Sequence, residues 1–308
     1  MYKDDYFAVI GTCFIDIIAK VDKNYQSAGT NIASINEIYG GVGRNIAINL
    51  SKLNNNVEFM TAIDNSPQSE RFLSEFEENK IGHAYTIPPF DINKDDPIIS
   101  IGKWSAIIDE NGNLISNASQ VPDTSRLQKA FDFYGHRFIS NSKALILDLD
   151  SDEYVTTSAI KEAKSCHIPL FGAIGNLSII CEHRELLKDI DYLILNNIEA
   201  SKLFYSNEIK NIYDLDDAEY RFKKLKKKFK FNNIVITCGS NGSVGYSSDD
   251  DVYKINAINT EVIDTTGAGD AFISAFADYT IKKYNFKDAM EYANLISSKV
   301  VSSKNNTI

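Results

Sequence analysis

The sequence has no cysteine pair at redox or metal-binding spacing. Its four cysteines, Cys13, Cys166, Cys181 and Cys238, stand far apart, so they read as free thiols and imply no disulfide framework. Cys166 beside His167, and Cys181 near His183, lack the usual ligand spacing, which sets structural zinc aside. No apolar run reaches the ~18 residues a membrane span needs, and no secretory leader opens the chain; a cytoplasmic protein is expected. Basic residues are in deficit, 32 Lys and Arg against 42 Asp and Glu, for a net charge of −10. That balance disfavours a nucleic-acid polymer as partner, because neutralising phosphates needs a basic surface. The one basic cluster, residues 221–230, carries Phe222, Leu225 and Phe229 at helical spacing, so its lysines read as the solvated face of an amphipathic helix. Also missing are the Lys-Ser/Thr of a P-loop and the GxGxxG of a dinucleotide fingerprint. The first strand runs into Gly11-Thr12-Cys13-Phe14-Ile15-Asp16, which argues against a dehydrogenase.

What is present is an ordinary globular composition, 44% hydrophobic and 24% charged over 308 residues. That length accommodates one large α/β domain or two small ones with a sizeable core. Apolar β-rich runs at 7–11, 57–63, 144–149, 168–171, 192–195 and 234–237 alternate with helical patterns at 43–53, 68–79, 152–165, 198–205 and 216–229. Such alternation marks βαβ units around a largely parallel, buried sheet. Residues 34–39 and 98–108 break it, the second meeting a short strand across the turn Asp109-Glu110-Asn111-Gly112-Asn113; they read as antiparallel strands outside the main sheet. A β flap over one edge of the core is a plausible lid that closes on substrate and expels water.

Two motifs carry chemistry. Asp264-Thr265-Thr266-Gly267-Ala268-Gly269-Asp270 opens an apolar helical run, 271–279, after an expected strand at 261–263. The small residues Gly267, Ala268 and Gly269 let backbone N–H groups converge at a helix N-terminus, where the macrodipole favours negative charge. Asp270, in the first turn, is placed to take a proton from an attacking hydroxyl beside that anion hole. The second motif, Gly40-Gly41-Val42-Gly43-Arg44-Asn45-Ile46-Ala47, joins a candidate lid strand to a helix. Gly40 and Gly41 admit a polyhydroxylated ligand close to the backbone, and Asn45 both donates and accepts hydrogen bonds to its hydroxyls.

The two motifs in this order resemble the ribokinase-like, or PfkB, family of carbohydrate kinases, and the resemblance spans nearly the whole chain. It implies one α/β domain over 1–308, a doubly wound, mostly parallel sheet flanked by helices, with lid strands drawn from about 12–39 and 97–118. It implies an ATP-dependent phosphotransferase with Asp270 as base, Gly267–Gly269 as anion hole, and Asp16, Gly40, Gly41 and Asn45 on the substrate. Asn196 and Glu199, in Leu195-Asn196-Asn197-Ile198-Glu199, match the N-x-x-E motif that organises Mg²⁺ and the ATP phosphates through water. Thr237, Gly239 and Gly242 match the strand-turn that lines the nucleotide site. A monovalent cation such as K⁺ activates relatives, and their lids often pair into a homodimer. Trp104, on the lid strand, is a candidate anchor for such an interface or an ordinary packing residue.

The chain also departs from the pattern. Asn54 stands where the family usually has glycine, and Ala62-Ile63-Asp64-Asn65-Ser66-Pro67 replaces a glycine-bearing segment; both changes are expected to alter turns. Phe171-Gly172-Ala173-Ile174-Gly175-Asn176 lacks the Asp and basic residue of many relatives. The motif at 40–47 is closest to that of pseudouridine kinases, so pseudouridine, phosphorylated at its 5′-hydroxyl, is the first expectation, with a simple sugar as in ribokinases or fructokinases as the alternative. A sensor that binds sugar or nucleotide without turnover is the reading from another class.

Overall fold

The computed structural model describes residues 5–86, 101–111, 113–175, 177–205, 209, 212–213 and 218–308. In chain order its strands are β1 (Phe7–Ile10), β2 (Phe14–Val21), β3 (Ala33–Gly40), β4 (Val57–Met60), β5 (Ile81–Gly82), β6 (Gly102–Ile108), β7 (Leu114–Gln120), β8 (Ala144–Asp148), β9 (Leu170–Ala173), β10 (Tyr192–Asn196), β11 (Asn233–Thr237), β12 (Ser243–Tyr246) and β13 (Val252–Ile255). The helices are α1 (Val42–Lys52), α2 (Pro67–Glu78), α3 (Ser125–Ser140), α4 (Glu153–Ser165), α5 (Ser178–Glu182), α6 (Asn197–Leu203), α7 (Ala218–Phe229), α8 (Ala268–Ile281) and α9 (Phe286–Val301).

The main sheet runs β13-β12-β11-β10-β9-β8-β1-β4-β5. It is parallel from β11 to β5, and β12 and β13 add an antiparallel edge. Strands buried on both faces need no polar alternation, which is why β1 reads FAVI and β8 reads ALILD without an exposed position. Side chains still alternate between faces. Phe7 and Val9 join a core with α1, α2, α8 and α9, whereas Ala8 and Ile10 join the opposite core with α3, α4, α6 and α7. From β1 the chain proceeds to β4 on one side and later to β8 on the other. The order therefore reverses between β1 and β8, and in such sheets the crevice at the strands' C-terminal ends is where ligands bind.

The second sheet is four-stranded, β3-β2-β6-β7. Its strands lie outside the main sheet as expected, but the pairing is mixed: β2 is antiparallel to β3 and parallel to β6. The long excursion between β3 and β6 brings the chain back beside β2 in the same direction, so a simple hairpin is not the connecting unit. Residues 98–100 and Gly112 of the expected flap lie outside the described residues.

One expectation changes. Residues 261–263 form no strand; the N–H groups of Ile263 and Asp264 donate to the Val301 carbonyl at the end of α9, at 2.9 and 3.2 Å, so their backbone is committed to a helix terminus. Asn54 adopts φ 62° just after α1, and asparagine is the side chain that best tolerates this left-handed position when glycine is absent. At 62–67, Ser66 caps α2 by accepting the Ser69 N–H at 3.2 Å, with Pro67 at the first helical position. Asp64 braces that turn from the Ser66 N–H (2.9 Å) and Ser69 Oγ (2.6 Å).

Candidate active site

Helix α8 begins at a residue in the left-handed conformation, Gly267 with φ 77°. A side chain there is strained twice over, because a Cβ would also lie 1.9 Å from the Asn306 carbonyl oxygen. The N–H of Ala268 donates to Thr265 O at 3.3 Å. Of the three residues expected to form the anion hole, Ala268 thus has its amide engaged, while among the described residues none of the hydrogen bonds uses the amide of Gly269 or Asp270. The first N–H groups of any helix lack intrahelical acceptors, so this end of α8 presents free donors and a positive dipole. Gly269 faces open space.

Asp270 sits in that first turn and meets the other motif directly. Asn45 Nδ2 donates to Asp270 Oδ2 at 2.7 Å. The amide's other end accepts from Arg44 Nη1 at 2.8 Å, and the same guanidinium donates to Glu75 Oε2 (2.9 Å) and Asn306 Oδ1 (3.1 Å). Arg44 therefore fixes which way the Asn45 amide points, since only its oxygen can face a donor and only its nitrogen can face a carboxylate. Arg44 and Asn45 are buried. Gly41, the residue before α1, has φ 105°, and a Cβ would meet Thr12 O at 2.3 Å; this close approach lets α1 start beside the end of β1.

Burial pushes the Asp270 carboxyl up to about 7, with the Asn45 hydrogen bond holding it down, Glu199 raising it and Arg44 lowering it. Asp148 shares this region. It ends β8, is 5% exposed, and is also pushed up to about 7, first by burial and further by the charges of Asp150 and Asp270, against the N–H groups of Asp150 and Thr12. Asp148 was not singled out by sequence. Its position as a carboxylate closing a central apolar strand is the signal that could have marked it.

Asn196 and Glu199 prove to be a capping box. Asn196 Oδ1 accepts the N–H groups of Ile198 and Glu199, both at 2.9 Å, and Glu199 Oε2 accepts the Asn196 N–H at 2.7 Å. The pair is thus fixed structurally, yet Glu199 lies within electrostatic reach of Asp270 and burial raises its own carboxyl. Thr237 stands directly opposite Asn196 in the β10–β11 register. Gly239 and Gly242 flank the short turn after β11, closed by Cys238 N–H on Gly242 O at 2.7 Å. Asp16 lies half-buried on β2, its carboxyl raised by burial, and a Cβ on Gly40 would be 3.4 Å from its Oδ2. Gly175, in the divergent segment, borders Val42 and Asp148; Asn176 lies outside the described residues.

A fold that reverses strand order at β1/β8 and joins two glycine-bearing turns through an Asn–Asp contact invites comparison with known proteins. The model of the pfkB family carbohydrate kinases matches residues 4–308. The chain belongs to that family. This kinase is 27% identical to the guanosine-inosine kinase of Exiguobacterium acetylicum over 300 residues, covering 97% of this chain and 95% of that one. It is 27% identical to the ribokinase of Dictyostelium discoideum, covering 96% and 94%, and 23% identical to the pseudouridine kinase of Escherichia coli, covering 98% and 92%. The structure of Arabidopsis thaliana ribokinase complexed with ribose and ATP superposes with a TM-score of 0.78 at 19% identity, covering 99% of this chain and 94% of that one. The fold is accordingly ribokinase-like, and the kinase is a phosphotransferase acting on a sugar or nucleoside hydroxyl. Among the described residues no helix is long and apolar enough to cross a membrane.

Proposed function

We propose that this kinase transfers the γ-phosphoryl group of ATP to the 5′-hydroxyl of a ribonucleoside, with pseudouridine as the first candidate and guanosine and inosine beside it. The observation that carries the chemistry is the 2.7 Å Asn45–Asp270 hydrogen bond at the free N-terminus of α8. It couples a carboxyl pushed up to about 7 with the motif that receives the polyol. Such a carboxyl is a competent general base near neutral pH. Asp270 accepts the hydroxyl proton, the substrate oxygen attacks the γ-phosphorus in line as its bond to the bridging oxygen breaks and ADP leaves, and the amides of Gly269 and Asp270 take up charge on the equatorial oxygens. Asp16 and Asn45 hold the ribose hydroxyls, and Thr237, Gly239 and Gly242 line the nucleotide side. When bound, Mg²⁺ would neutralise phosphate charge; Glu199, with one carboxylate oxygen left over from the cap, and Asn196 beside it would hold the ion. The small sheet closes as a lid over the crevice, within a single domain spanning 1–308. The match to pseudouridine kinases at 40–47 and the guanosine-inosine kinase relative support a nucleoside; a simple sugar is the second reading, supported by the ribokinase relative at equal identity.

An ATP-consumption assay over pseudouridine, guanosine, inosine, uridine, adenosine, ribose and fructose separates these readings. Turnover is expected on at least one nucleoside, and Asp270→Asn is expected to lower kcat by roughly 10²–10⁴-fold while substrate still binds. Near-normal turnover of that variant removes Asp270 from the base role. Tight binding of one compound with no ATP consumed on any of them establishes a sensor instead.

A further inference from the structure

We infer that Trp104 forms the nucleobase-stacking face of the substrate site and is the residue that makes this kinase select a ribonucleoside over a free sugar; the inference rests on the kinase reading above. Trp104 lies on β6 directly opposite Asp16 of β2 in the parallel register. Residues paired in this way share a face of the sheet, with backbones about 5 Å apart. The face is the one turned toward the site. Gly40, which shares it, is the point where an added Cβ would meet both Asp16 Oδ2 at 3.4 Å and Asn306 Nδ2 at 3.8 Å, and Asn306 belongs to the network beneath Asp270. Phe14, two residues before Asp16 on the same face, lays its ring across Gly102, where a Cβ would lie 2.4 Å from Phe14 Cζ. The carboxylate proposed to hold the ribose diol therefore has an aromatic side chain along its own strand and another across to the next.

The state of the indole argues against the core-packing role that its sequence position suggested. Trp104 is half-buried but belongs to neither apolar core, and among the described residues it makes no hydrogen bond or ring contact. A core tryptophan would be packed into one of those clusters, and a buried one would satisfy its N–H. Here a partly exposed indole, outside both apolar cores, is held on the same sheet face as a polar hydroxyl reader. A ribonucleoside has the matching anatomy, a diol at one end and a planar base at the other, whereas a free pentose has nothing to lay on an indole. Ser119, opposite Trp104 on β7, adds a hydroxyl on the same face for the edge of that base.

Trp104 is also the single tryptophan of the chain, so its fluorescence reports this one position. Titrating the intact protein with pseudouridine, guanosine and ribose in the absence of ATP is expected to quench emission saturably with a nucleoside and leave it unchanged with ribose. In steady-state assays, Trp104→Ala is expected to raise the nucleoside KM roughly 5- to 150-fold, the range found when one base-stacking ring is removed, with kcat and any ribose turnover little changed. Trp104→Phe should recover most of the loss. Nucleosides phosphorylated with no quench and an unaltered KM in Trp104→Ala would overturn the assignment. So would a change in solution mass with KM intact, which would make Trp104 an interface residue. Turnover of ribose or fructose alone overturns the nucleoside selection while leaving the kinase reading standing; saturable quenching without any turnover supports the stacking face and defeats the kinase reading.

Discussion

Asp270 is the base we propose, and Asn45→Ala tests that role without touching it. In the free enzyme the carboxyl is pushed up to about 7. Since the base works only when deprotonated, kcat/KM should rise with pH and level off above that value. At pH 6 about a tenth of the enzyme is competent, and at pH 5 about a hundredth, so the acid limb should fall tenfold per unit. The Asn45 donor stabilises the charged form through a 2.7 Å bond. Hydrogen bonds to charged groups contribute about 1.5–3 kcal/mol, and 1.36 kcal/mol corresponds to one pKa unit. Removing the amide should therefore move the midpoint up by about one to two units, toward 8 or 9, whatever happens to the plateau through lost substrate contact.

The competing influences are named by the structure. Arg44, which lowers Asp270, is tied to Glu75 and Asn306 and so remains in place when its Asn45 partner is removed. Glu199 on α6 and Asp148 on β8 both carry negative charge nearby and push upward; the Asp148–Asp270 repulsion is one energy and must act on both groups. The measurement is a pH profile of kcat/KM at saturating ATP for wild type, Asn45→Ala and Asp148→Asn. The expected order of midpoints is Asn45→Ala highest, wild type near 7, Asp148→Asn lowest. An unmoved or lowered midpoint in Asn45→Ala would refute the argument, and disappearance of the acid limb in Asp148→Asn would transfer the titration to Asp148.

Two further substitutions probe the scaffold. Gly267→Ala should abolish turnover and lower Tm in thermal melts, because the new Cβ must both adopt φ 77° and displace the Asn306 backbone; retained activity would show that the start of α8 is not held as described. Glu75→Ala should destabilise the protein toward the lower end of roughly 3–5 kcal/mol in urea unfolding, since it leaves the Arg44 guanidinium buried without its carboxylate while Glu75 itself is 27% exposed. A change under about 1 kcal/mol would mean that solvent or Asn306 replaces the partner.

Much of the parallel sheet was legible because strands buried on both sides are continuous apolar runs, and those do not depend on distant partners. The edges were less so. Helices α3 and α9 and strands β12 and β13 were not singled out, and 261–263 was misread as a strand, because its pairing is decided by the distant end of α9. The site divides in the same way. Gly267–Asp270 and Gly40–Asn45 announce themselves through local backbone requirements, positive φ and a helix start. Asp148, Glu75 and Asn306 do not, since a carboxylate or amide at those positions means nothing until the topology places β8, α2 and the segment after α9 around one carboxyl.

The position of Asn306 shows why the two motifs must be understood as one site. Gly267 needs no side chain because the Asn306 backbone fills the space a Cβ would take. The Asn306 amide bridges outward, donating to Tyr39 O at 2.7 Å on β3 and accepting from Arg44 at 3.1 Å on α1. The same short segment therefore sets where α8 begins, how Asn45 is oriented, and where β3 of the small sheet ends. A continuous chain of hydrogen bonds therefore links the end of β3 through Asn306 and the Arg44–Asn45 pair to Asp270.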